Sequence, residues 1–233
     1  MNLVSVIIPI YNKASEIEHN FLKLKSFLDE HVWNYEIILV DDGSTDNTSK
    51  ILQNFVHPKQ VQLLTLKANY GKGFAVKSGF ELGRGDYLIF IDSDLPYELK
   101  AISLILKELN NSHQVVIGSR KLSDSKSKMK VSFLRRIGSD LFSQLTNLLV
   151  IKGIYDTQCG IKGFSKSAAK SIFPKVQIDG FCFDVEVLYY AQEQNMNIAQ
   201  IPVTLLNNSH TSLNIFNVSK MFKDLIGLWY STI

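Results

Sequence analysis

Two cysteines in 233 residues cannot build a disulfide framework, and Cys159 and Cys182 read as small buried side chains. Histidine is nearly as scarce: His19, His31, His57, His113 and His210 are scattered without zinc-ligand spacing. No apolar run approaches the about 18–20 residues that span a bilayer, and the first residues lack a signal-peptide pattern. A cytoplasmic chain is therefore expected, with contact at the face of a membrane left open. Five prolines and 13 glycines against 45% hydrophobic residues exclude collagen-like and disordered classes. A net charge of +3 is too small for a nucleic-acid binder, and no nucleic-acid partner is expected.

The little charge there is lies unevenly. Seven cations (Arg120, Lys121, Lys126, Lys128, Lys130, Arg135, Arg136) and the single acid Asp124 fall between positions 120 and 136. A basic segment thus sits on a mildly acidic body. Around it, short Val/Ile-rich runs alternate with helical patterns. Strands are predicted at Val4–Ile10, Tyr35–Val40, Val61–Leu66, Tyr87–Ile91 and Val115–Ile117. Helices are predicted at Ser15–Leu28, Thr48–Phe55, Gly73–Leu82 and Leu99–Leu109. This alternation implies an α/β fold, a mostly parallel sheet with helices on both faces. The later half is less regular, with a helix at Phe133–Val150, another ending near Gln194, and a strand at Ile198–Val203. One domain over 1–210 and a C-terminal amphipathic helix over 211–233 are expected.

In parallel sheets the ligand crevice lies at the carboxyl ends of the strands, and here those ends are polar. They read Pro9-Ile10-Tyr11-Asn12, Asp41-Asp42-Gly43-Ser44-Thr45-Asp46, Asn69-Tyr70-Gly71-Lys72-Gly73, Asp92-Ser93-Asp94 and Gly118-Ser119-Arg120. Two carboxylates at i and i+2, Asp92 and Asp94, can hold a hard divalent cation that keeps its other positions for water and phosphate oxygens. A strand-to-helix turn with a capping Asp is the plain alternative. Asp41 and Asp42 suit ribose hydroxyls or a base edge, or else a tight turn into a helix. The Gly71-Lys72-Gly73 turn favours anions at a helix start, yet matches neither a P-loop nor the dinucleotide fingerprint. A nicotinamide dehydrogenase is excluded on that ground. In the tail, Ile215, Val218, Phe222, Leu225 and Trp229 form a stripe widened by Met221, Ile226 and Leu228, fit either to dock on the domain or to lie in a membrane interface.

Taken in order, these five strand-end motifs resemble the family 2 glycosyltransferases of GT-A (Rossmann-like) fold. Asp156-Thr157-Gln158-Cys159-Gly160 and Phe183-Asp184-Val185-Glu186 are similar to the dolichyl-phosphate glucosyltransferase branch, near the polyprenyl-phosphate mannose synthases. The resemblance spans about residues 3 to 205. It implies that Pro9, Tyr11, Asn12, Asp41 and Asp42 hold the nucleoside of a sugar nucleotide, with Asn69 and Lys72 near the base or diphosphate. It implies Mg²⁺ or Mn²⁺ on Asp92 and Asp94. Arg120 would meet a phosphate, Arg135 and Arg136 an acceptor's lipid phosphate, and Asp156 would be a catalytic carboxylate beside Asp94 and Arg120. Two positions depart from the pattern: Lys13 stands where Glu is common, with Glu16 nearby as a substitute, and Pro96 stands where Gln is common.

The implied reaction is an inverting transfer of a sugar, glucose first, from a nucleotide sugar to a polyprenyl (dolichyl or undecaprenyl) phosphate. UDP-glucose leads as donor, ahead of GDP-mannose and UDP-N-acetylglucosamine. An anionic phosphate acceptor needs little base help, whereas a saccharide, glycolipid or protein hydroxyl would need Asp156 as a general base. That second acceptor class, and a sugar-nucleotide-binding subunit without catalysis, are the competing expectations.

Overall fold

The computed structural model describes residues 2–32, 34–127, 133–154, 156–206 and 215–232. Its first strand, β1 (Val4–Ile10), is buried along its whole length. Side chains alternate across a strand, so Val4, Val6, Ile8 and Ile10 enter one apolar layer and Ile7 the other. That two-sided burial is why the run is continuously apolar rather than alternating.

The next elements follow the predicted order, with ends within three residues: α1 (Ile17–His31), β2 (Tyr35–Asp41), α2 (Thr48–Gln53), β3 (Val61–Thr65), α3 (Lys72–Leu82), β4 (Tyr87–Ile91), α4 (Lys100–Asn110) and β5 (Val115–Ser119). In α1 the buried residues are Ile17, Phe21, Leu24 and Leu28, the stripe read from the sequence. The later half adds β6 (Lys126–Ser127), α5 (Phe133–Leu149), β7 (Ile161–Ser165), α6 (Lys166–Ile172), α7 (Phe183–Glu193), β8 (Ile198–Pro202), β9 (Thr204–Leu205) and α8 (Ile215–Thr232).

Seven strands form the main sheet in the order β3-β2-β1-β4-β7-β5-β8. All neighbours are parallel except β7, which runs antiparallel to both β4 and β5. A chain that moves outward from β1 to β3 and then returns to place β4 on the other side of β1 creates a switch point between β1 and β4. One core layer packs α1 and α4 on the sheet and the other packs α3, α6 and α7. β6 and β9 pair in a small second sheet.

In α8, Met221, Leu225 and Leu228 are buried against Phe142 of α5 and Cys182 and Val185 near α7. The helix is therefore docked, but on a stripe turned from the predicted one, because Val218 and Ile226 face outward. Among the described residues no helix is long and apolar enough to cross a membrane.

Candidate active site

Because β1, β2, β3, β4 and β5 point the same way, their carboxyl ends share one edge, and four of the five polar motifs gather round the switch point. Pro9 is buried in β1 opposite Val40, while Tyr11 is exposed at its end. Asn12, at a left-handed φ of 50°, knits this end to the next loop. Its backbone N–H donates to Ser44 Oγ at 2.9 Å, and its Oδ1 accepts from the Thr45 N–H at 2.8 Å.

The two aspartates at the end of β2 are both buried and both tether backbone. Asp41 Oδ1 accepts the Ser44 N–H at 3.0 Å, and its other oxygen accepts the Ser49 hydroxyl. Asp42 accepts the Tyr70 and Gly71 N–H groups at 2.8 and 2.9 Å. Burial nevertheless pushes the Asp42 carboxyl up, against those two donors. Asp42 thus fixes the turn that carries Lys72, while Asn69 stays exposed. The same turn is wedged from the other side. Gly71 has φ 113°, and a Cβ there would stand 2.4 Å from the Asp179 carbonyl oxygen, so only glycine fits.

Lys72 is directed at the end of β4, where its Nζ lies 2.7 Å from Asp92 Oδ1. Asp92, Ser93 and Asp94 make a turn closed by the Leu95 N–H on the Asp92 carbonyl at 3.0 Å, with Leu95 itself at φ 44°. A branched side chain held in the left-handed region is strain of the kind that collects at functional turns. Among the described residues no cluster of three or more His, Cys, Asp or Glu side chains could hold a metal ion. Two carboxylates suffice for a hard cation that takes its remaining ligands from water and phosphate, so the donor set fits Mg²⁺ or Mn²⁺. A second observation supports the fit: a Cβ on Gly160 would lie 1.9 Å from Asp92 Oδ2, so the chain keeps that space clear for the carboxylate. Gly160→Ala is accordingly expected to weaken Mn²⁺ binding about ten-fold or more, read from the free-ion EPR signal.

Arg120 and Asp156 form the other half of the site. Asp156 Oδ2 accepts both the backbone N–H and Nε of Arg120, at 2.6 and 2.9 Å, and Oδ1 accepts a terminal guanidinium N–H at 2.6 Å. Asp156 is 1% exposed, whereas the Arg120 side chain keeps 33% of its surface in solvent. Burial raises the Asp156 carboxyl, but the Arg120 hydrogen bonds and charge outweigh it and hold it below the usual carboxylate range. The arginine therefore presents its open face outward on a carboxylate stem.

Sequence reasoning assigned no role to Lys162, Asp184 and Glu186, three charges buried behind the site. Lys162 Nζ donates to Asp184 Oδ1 at 2.5 Å and to the Cys159 carbonyl at 2.9 Å. Glu186 accepts the Gln177 and Ile178 N–H groups, the latter at 2.8 Å. The Phe183–Glu186 motif was the available signal: charges at an apolar helix start need buried partners. Gln158 Nε2 is also buried and makes no hydrogen bond among the described residues.

Of the basic segment, Lys121 is ion-paired to Asp140 at 2.9 Å and donates to Ser143 at 3.0 Å. Lys128 and Lys130 and the side chains of Arg135 and Arg136 lie outside the described residues. Lys13, the departure near β1, is ion-paired to its nearby substitute Glu16 at 2.7 Å. Pro96 is buried, and its carbonyl accepts the Leu206 N–H at 2.8 Å.

Comparison with known proteins gives this edge a lineage. The sequence profile described as Glycosyl transferase family 2 matches residues 5–173. The dolichyl-phosphate beta-glucosyltransferase of Dictyostelium discoideum is 37% identical, over 97% of this chain and 76% of its own length. Those of Homo sapiens and Saccharomyces cerevisiae are each 32% identical over 96% of this chain, covering 74% and 73% of their own. Among solved structures, glucosyl-3-phosphoglycerate synthase from Mycobacterium tuberculosis in complex with Mn²⁺, UDP and phosphoglyceric acid superposes with a TM-score of 0.72. It is 19% identical and covers 99% of this chain and 78% of that one. Mannosyl-3-phosphoglycerate synthase from Rubrobacter xylanophilus gives 0.74 at 16% identity, covering 98% and 73%. These two likenesses speak for the fold, a GT-A-like α/β sheet, while the profile and the curated relatives speak for descent: the chain belongs to glycosyl transferase family 2.

Proposed function

We propose that the protein transfers glucose from UDP-glucose to a polyprenyl phosphate of the dolichyl type, with inversion at the anomeric carbon. The observation that carries this reading is the Arg120–Asp156 lock. A hydroxyl acceptor needs a carboxylate basic enough to take its proton, whereas both Asp156 oxygens already accept from Arg120, which outweighs burial and holds the carboxyl low, making it a poor base. A phosphate acceptor brings its own negative oxygen, and for it a solvent-facing guanidinium is the fitting partner. The named activity of the relatives supports the same donor sugar and acceptor class.

In this reading Asp92 and Asp94 hold Mg²⁺ or Mn²⁺, which when bound neutralises charge on the diphosphate leaving group. Tyr11 and the Asn12–Thr45 corner border the nucleoside, and Asp41 and Asp42 shape that pocket from behind. Lys72 and Arg120 flank the phosphates with positive charge, which stabilises the departing anion in a site partly shielded from water. Asp156 sets the orientation of Arg120. Leu141 and Leu148 on α5 and Ile226 and Tyr230 on α8, all outward-facing, would form the side that meets a membrane carrying the acceptor.

The test is transfer to a short polyprenyl phosphate with Mn²⁺ or Mg²⁺, offering UDP-glucose, GDP-mannose and UDP-N-acetylglucosamine in turn. Glucosyl lipid from UDP-glucose alone is the expected product. Nucleotide release without lipid product would move the acceptor to a hydroxyl, and nucleotide binding without any turnover would leave a binding subunit.

A further inference from the structure

The aspartates that close β4 have a cation of the chain's own beside them. Lys72 is not a loose surface lysine: its side chain is 15% exposed, with its ammonium 5.5 Å from the centre of the Phe90 ring and 5.9 Å from that of Phe183. Its backbone is gripped on both sides. Asp42 holds the Tyr70 and Gly71 N–H groups, and the Asp179 carbonyl accepts from Gly73 at 2.7 Å and from Phe74 at 3.3 Å. Glu186 in turn clamps the Gln177–Ile178 backbone just before Asp179. Lys162, bonded to Asp184, lies 5.2 Å from the centre of the same Phe90 ring, so the second ammonium is anchored and cannot take the place of the first. The local charges are then Asp92, Asp94 and Asp184 against Lys72 and Lys162.

We propose that Lys72 is a resident counter-ion for Asp92, a stand-in cation that must give up this carboxylate before a divalent metal can take it, and that Asp184, Lys162 and Glu186 are positioning residues that keep it there. The proposal rests on the assignment of Asp92 and Asp94 as the metal carboxylates. An ammonium 2.7 Å from one of two metal ligands competes directly with the metal for the same oxygen. Metal alone should therefore bind weakly. A nucleoside diphosphate gives the ammonium new anionic partners, frees Asp92, and so couples metal binding to nucleotide binding in both directions.

The experiment measures Mn²⁺ affinity of the full chain by EPR of the free ion, with and without UDP. The wild type is expected to bind Mn²⁺ alone weakly and to gain about ten-fold or more when UDP is added. Lys72→Met, which removes the competing charge, is expected to bind Mn²⁺ alone about ten-fold more tightly than the wild type and to gain less from UDP. Lys72→Arg, which keeps the charge, stays near the wild type. Lys72→Gln, with a polar head, serves the same purpose should the Met variant not fold. A Lys72→Met or Lys72→Gln chain that folds and binds Mn²⁺ alone no better than the wild type, while wild type with UDP still binds it, overturns the stand-in role only. A wild type that binds no Mn²⁺ even with UDP overturns the metal assignment, and this proposal with it.

Discussion

Asp94→Asn is expected to cut sugar transfer by about 10³-fold or more and to leave the fold intact. The amide keeps the shape of the turn but removes one of the two charges offered to a hard cation, which binds neutral oxygen poorly when water competes. Asp92→Asn should cost as much activity and something more. Asp92 carries the direct 2.7 Å contact with Lys72, and its loss takes from the part-buried ammonium the carboxylate that touches it at that distance. The pair of variants thus separates two roles in one motif. Both should lose metal-dependent turnover, measured as glucosyl lipid formed, and Asp92→Asn, which also breaks the contact with Lys72, should melt lower than the wild type in a thermal scan. Activity within about ten-fold of wild type in Asp94→Asn would remove that residue from the metal set.

The parts of the fold that a reader of the sequence could see were those whose apolar period agrees with their burial. β1, β2, β4 and β5 are short apolar runs buried on both faces, β3 is a half-buried edge strand, and α1 shows its inward stripe directly. β7 escaped notice because its centre is Lys162-Gly163, and a lysine argues against a core strand. That lysine is fully buried all the same, made tolerable by Asp184 and by the Cys159 carbonyl. A partner 22 residues away is invisible to any local pattern. The site divides along the same line. That polar groups follow each strand could be read; which of them face a ligand and which hold one another could not. Asp42 is spent on the backbone of the turn before Lys72, and Glu186 on the backbone at Gln177 and Ile178, because buried N–H groups of irregular segments demand acceptors. In α8 the stripe of best sequence spacing was offset from the buried one, since the facing residues of α5 and α7, not the period alone, choose which side turns inward.

Asp156→Asn is expected to lower transfer about 10²-fold and to destabilise the protein by about 2–3 kcal/mol, and the coincidence of the two losses is the point. Removing one partner of a buried ion pair typically costs about 3–5 kcal/mol, and the smaller figure reflects the third of Arg120 that remains in water. An orienting carboxylate loses both stability and rate when it becomes an amide; a free general base would lose rate alone. The pH dependence points the same way. Arg120 lowers the Asp156 pKa on folding, so the stabilisation from the pair is complete above the unfolded carboxylate value of about 3.9 and is lost only as pH falls through the still lower folded value. Neither the rate nor the stability between pH 5 and 8 should therefore carry a step from Asp156. The log of kcat/KM for Asp156→Asn, plotted over that range, should run parallel to the wild type at a lower level. Arg120→Ala should reach a similar or lower rate, because it removes the group that Asp156 orients. An Asp156→Asn protein that kept wild-type stability but lost an acid limb present in the wild type would restore Asp156 as a base. The acceptor would then be a hydroxyl, since only a hydroxyl has a proton for Asp156 to take.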